Sequence, residues 1–110
     1  MEKTSLTALG DQQLAFARGA TSGRSAETVL GGHTAALRQT VIAIVAGRGL
    51  DDHESPGEAT LQVLRGHVRL TAGSGSAEAG AGELLVIPAV RHRLDALEDS
   101  VLLLTVVKSA

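Results

Sequence analysis

Cysteine, tryptophan and tyrosine are all missing from this 110-residue chain, and Phe16 is its only aromatic residue apart from histidines. Without thiols there can be no disulfide framework and no thiolate chemistry, which fits a reducing compartment, so a cytoplasmic protein is expected. The net charge of −2 comes from interspersed charges of both signs. Single-stranded nucleic acid would find neither a basic groove nor aromatic rings to stack on, and nucleic-acid binding is not expected. The longest apolar run, VIAIVAG at 41–47, falls far below the roughly 20 residues of a spanning helix. The N-terminal MEKTSLTALG is too polar for a signal-peptide core. Neither a leader nor a membrane association is expected. No G-x-S-x-G or G-x4-G-K-[ST] motif occurs, and GSGS at 73–76 lacks the strand-to-helix setting of a phosphate cradle. With so few aromatics, any ligand pocket must be walled by Val, Leu, Ile and Ala.

What remains is a pattern of short runs and breakers. Residues 5–19, SLTALGDQQLAFARG, are the one helix candidate, with Ser5 or Asp11 as its cap and Gly19 as its stop. Gly10 weakens that pattern, and a short or broken helix is expected. From Arg24 onward, strands are expected near 25–30, 36–46, 58–64, 67–72, 83–87, 91–96 and 100–107, separated by Gly-, Pro- and Asp-containing turns. The stretch 72–82 reads as a hairpin with a loose loop. Strands at this spacing imply an all-β sandwich or barrel. Alternation assigns faces. Ala59, Leu61 and Val63 share one face; Val68 and Leu70 lie opposite His67 and Arg69; His92 lies with Leu94 and Ala96 on an inward face.

The histidines therefore divide. His33, in a Gly-Gly-His loop, and His67, beside Arg69, are expected in solvent. His92 points inward, and His53 stands where a strand runs into the Pro56-Gly57 turn. Asp51 and Ser55 would share the face of His53 if the backbone stays extended. Asp51, Asp52, Glu54 and Glu58 read as a solvated acidic loop. Two imidazoles meeting inside a barrel would be half of a metal site, since stable transition-metal sites normally have three or more protein ligands. Two hydrogen-bonded buried histidines are the alternative.

The runs Gly49–Gly66 and Gly82–His92 resemble the two signature motifs of the cupin superfamily, G-x5-H-x-H-x(3,4)-E-x6-G and G-x5-P-x-G-x2-H-x3-N. His53 fits the first histidine of motif one and Gly66 its closing glycine. Gly82, Pro88 and His92 fit motif two, with His92 one residue early. Leu50–Ala59 and Ala96–Leu104 (ALEDSVLLL) are similar to segments of small bacterial single-domain, RmlC-like cupins, which generally have no assigned biochemical function. The resemblance covers roughly residues 36–107 and implies a double-stranded β-helix, a jelly-roll barrel; with the strands read from Arg24 onward, a barrel domain over residues 25–110 is expected, preceded by a helical or extended arm over 1–24.

It also implies a pocket at His53, Ser55, Ala59 and His92. Of the family's metal site of three histidines and a glutamate, only His53 and His92 remain, because Ser55 and Ala59 occupy the other two positions. Asp51, Glu58, Gln39 or Gln62 could complete the set, or the site is vestigial. Two readings follow from the resemblance. One is a binding module for an unknown small molecule, metal-free or weakly metal-binding. The other is an oxygenase- or isomerase-like enzyme using Zn, Fe, Mn or Ni. A homodimer is expected as well, because VIAIVA and VLLLTVV alternate poorly and so call for cover on both faces.

Overall fold

The computed structural model describes residues 1–54 and 57–108. Helix α1 spans Leu6–Gly19, and the Ser5 side chain caps it by accepting the Ala8 N–H at 3.2 Å. Contrary to expectation the helix is continuous through Gly10. A Cβ at that residue would lie 2.9 Å from Val101 Cγ1, so the missing side chain lets the helix settle onto the sheet. Burial of Leu9, Leu14 and Ala17 offsets the poor helix propensity of glycine.

Among the described residues nine strands follow: β1 Arg24–Leu30, β2 Leu37–Ile44, β3 Gly49–His53, β4 Ala59–Arg65, β5 His67–Ala72, β6 Gly75–Gly80, β7 Leu84–Val86, β8 His92–Ala96 and β9 Ser100–Val107. All pairings are antiparallel. They form a five-stranded sheet in the order β1-β2-β9-β4-β7 and a four-stranded sheet in the order β3-β8-β5-β6. This is the expected all-β jelly roll with one N-terminal helix. Seven strands stand where the sequence pattern put them, while β3 and β6 carry little pattern of their own. GSAEAG in β6 has no β-branched or aromatic residue, and becomes a strand through its six-residue ladder with β5.

Two apolar layers hold the molecule together. Between the sheets lie Ile42, Ile44, Leu61, Val63, Val68, Leu70, Leu94 and Leu102. On the outer side of β2 and β9, Val41, Ala43, Val101 and Leu103 pack beneath Leu9, Leu14 and Ala17 of α1. The double cover that the poorly alternating runs demand thus comes, for these residues, from the chain's own helix. Among the described residues no helix is long and apolar enough to cross a membrane.

The ALEDS segment locks the strand ends around the barrel. Gly66 has φ of +91°, and a Cβ there would come within 2.4 Å of Asp99 O and Ser100 Oγ. The fully buried Ser100 hydroxyl accepts the His67 N–H at 3.1 Å and donates to Glu98 O at 2.8 Å. Asp99 accepts the Ala46 N–H at 2.9 Å and two bonds from the Arg18 guanidinium, at 3.0 and 3.2 Å, which ties the end of α1 to the barrel.

Candidate functional site

His53 ends β3 and His92 begins β8, and the two are register partners across that ladder. Their ring centroids are 4.5 Å apart, at an interplanar angle of 66°. The meeting depends on a bulge. Leu50 pairs with Leu94 and His53 with His92, so β3 spends three residue steps where β8 spends two. The extra residue changes the side-chain parity, and Leu50 and His53 line one cavity. In a regular strand His53 would have shared its face with Asp51, as the sequence suggested. Instead Asp51 is exposed and contributes its backbone carbonyl, which lies 2.8 Å from His53 Nδ1.

His92 repeats this local geometry, with Nδ1 2.9 Å from Val90 O. A carbonyl can only accept, so each Nδ1 carries a proton, and in the neutral form of each ring the lone pair lies on Nε2. His92 is buried and His53 exposed, which places the pair at the mouth of the barrel. The cavity they line measures about 30 Å³ and is otherwise walled by Ile42, Leu50, Leu61, Leu70, Ile87, Leu94 and Leu104. At roughly 10–15 Å³ per water, this is space for about two or three water molecules. The walls are aliphatic throughout, as the shortage of aromatics required.

Of the sequence-predicted site residues, His53 and His92 come together. Ala59 is buried on the same inward face of β4 as the cavity-lining Leu61. Ser55 lies outside the described residues. The residues that might have completed a metal set stand elsewhere. Glu58 and Gln62 are exposed, and Gln39 donates to Thr105 at 3.1 Å on the outer sheet face. Among the described residues no three His, Cys, Asp or Glu side chains gather where they could hold a metal. Two imidazoles do not fit a stable transition-metal centre. The aliphatic wall residues had a sequence signal, the alternation that put Leu61, Leu70 and Leu94 inward. The bulge that turns His53 toward them had none.

The remaining histidines lie away from the cavity. His33 is exposed. His67 faces outward and is half-buried, with Nε2 2.9 Å from Glu78 Oε1, while Arg69 donates to the other oxygen of Glu78 at 3.1 Å. The hydrogen bond from His67 and then that from Arg69 hold the Glu78 carboxyl below its ordinary range. Arg93 pairs with Asp95 on the same outer face of the four-stranded sheet.

No protein-family model matches the sequence, and no curated protein matches it significantly. Solved structures do. A conserved protein of unknown function from Streptococcus pyogenes superposes with a TM-score of 0.72 at 28% identity, covering 83% of this chain and 79% of that one. A cupin 2 conserved barrel domain protein from Leptotrichia buccalis gives 0.70 at 26% identity, over 77% of this chain and 41% of that one. A salicylate 1,2-dioxygenase from Pseudaminobacter salicylatoxidans gives 0.75 at 18% identity, over 90% of this chain and 33% of that one, a likeness of fold alone. Further neighbours are described as cupins or RmlC-like cupins. Two antiparallel sheets in jelly-roll order, with these structural neighbours, make the chain a cupin-fold protein.

Proposed function

We propose that the barrel is a small-molecule-binding module in which His53 and His92 orient the ligand. One observation carries this reading. Each imidazole donates its Nδ1–H to the carbonyl two residues before it, so both Nε2 atoms remain acceptors beside an aliphatic cavity. A ligand bearing a hydroxyl or amide N–H would donate to them, with its apolar part against Leu50, Ile87 and Leu104. Mostly apolar walls with a few placed polar groups are the usual make-up of such sites.

The resemblance to cupins supplies a second reading, a metal-dependent enzyme using Zn, Fe, Mn or Ni. Its donor set stops at two imidazoles, and no reaction step is assigned to it. The deciding measurement is the metal content of tag-free protein, before and after loading with each metal, for the native chain and for His53→Ala. The binding-module reading expects substoichiometric metal in both. Stoichiometric metal that disappears in His53→Ala would replace it with the enzyme reading.

Two further expectations belong to the same proposal. A cytoplasmic location follows from the cysteine-free composition. A homodimer would use the part of the outer sheet face that α1 leaves bare, where Leu84, Val86 and Val107 are exposed.

A further inference from the structure

The two sheets part at one edge of the sandwich. β6 ends one sheet and β7 the other. The inward positions of β6 are Ala77 and Ala79, opposite Leu70 and Val68 of β5, so that strand offers the seam nothing larger than a methyl group. Across from them stands Leu85 of β7, the register partner of Leu61. The unfilled space is a cleft of about 250 Å³, lined by Leu70, Ser76, Ala77, Leu85, Val86 and Pro88 among others, and no lining residue is charged. Leu70 also lines the histidine cavity. Leu70 therefore forms part of the wall of both spaces.

We infer that this cleft holds the apolar body of the ligand whose polar end reaches His53 and His92, with Leu70 turning aside to join the two spaces. The inference rests on reading the histidine cavity as a binding site. Alone, the cavity of about 30 Å³ has room for only a small part of an organic molecule. Joined to the cleft, it approaches the lower end, roughly 300 Å³, of ordinary small-molecule sites. The chemistry of the two spaces specifies the class of ligand. Uncharged walls select a neutral body, the narrow seam between two strand edges selects an elongated one, and two Nε2 acceptors select a donor at its end. An aliphatic primary alcohol or amide has all three properties.

The test uses the n-alkanols from ethanol to heptanol, titrated into the isotope-labelled full chain. Nuclear magnetic resonance follows the imidazole nitrogens of His53 and His92 and the methyl groups of Leu70, Ala77 and Leu85. Every alkanol is expected to move the Nε2 signals. Affinity is expected to rise about fourfold per added methylene, and the longer members should shift the Ala77 and Leu85 methyls. Ala77→Leu fills the cleft from an exposed edge position, and should weaken heptanol at least tenfold while leaving ethanol unchanged. If the histidine nitrogens respond but neither affinity nor the cleft methyls depend on chain length, the cleft is not part of the site and the binding-module reading survives alone. Equal heptanol affinity in folded Ala77→Leu has the same consequence. Silence of both histidines toward every alkanol would overturn the two together. The native chain-length series stands even where the variant does not fold.

Discussion

Replacing Gly10 by alanine sets helix propensity directly against packing. In an exposed helix the change would stabilise by about 0.5–1 kcal/mol, the usual penalty of a mid-helix glycine. Here the new methyl would stand 2.9 Å from Val101 Cγ1. Val101 is almost fully buried between α1 and the sheet, and a β-branched side chain cannot swing away freely. The helix would have to lift from β9, loosening Leu9, Leu14 and Ala17. Overpacking of this kind costs about 1–3 kcal/mol, so Gly10→Ala is expected to lose about 1 kcal/mol net once propensity is subtracted. Val101→Ala removes the offending methyls, and in that background Gly10→Ala should stabilise by its propensity value. The double-mutant cycle then yields a coupling energy of roughly 2 kcal/mol, within the range for residues in contact. Urea unfolding followed by circular dichroism suits a chain without tryptophan. A native-background Gly10→Ala that is more stable than the parent, or the same effect in both backgrounds, would refute the close-approach explanation.

Acid sensitivity should depend on Asp99. The Ala46 N–H and then the Arg18 guanidinium hold its carboxyl below the ordinary range, so its folded pKa lies below the unfolded value of about 3.9. Its stabilising contribution is present above that unfolded value and is lost as pH falls through the folded one. Asp99→Asn should therefore start less stable at pH 7 and lose less between about pH 4 and pH 2; parallel stability curves for the two proteins would contradict this. The proposed homodimer predicts twice the chain mass by light scattering at micromolar concentration, reduced to the monomer by Val86→Lys, whereas a native monomer would rule it out.

Strand facing was the part of the candidate site most readable in advance. The alternation in HRLDA sends His92, Leu94 and Ala96 inward, and all three are buried. The same rule turns His67 outward, where it meets Glu78. Strict alternation gave His53 the wrong companion in Asp51, because a β-bulge is an event of two paired strands and leaves little mark on GLDDH itself. β6 escaped notice for a related reason: its identity as a strand resides in its partner.

Composition and periodicity determined that this chain is an all-β sandwich or barrel with aliphatic walls and that His92 belongs to its interior, since each of those properties is local, carried by residue type and a period of two. Tertiary structure decided the rest. It laid a glycine-notched helix over β2 and β9, brought His53 to His92 across a bulged ladder, and left a seam where β6 presents only alanines to Leu85. These outcomes depend on contacts between residues far apart in the chain, where a missing Cβ or one extra residue in a strand determines which surfaces can meet.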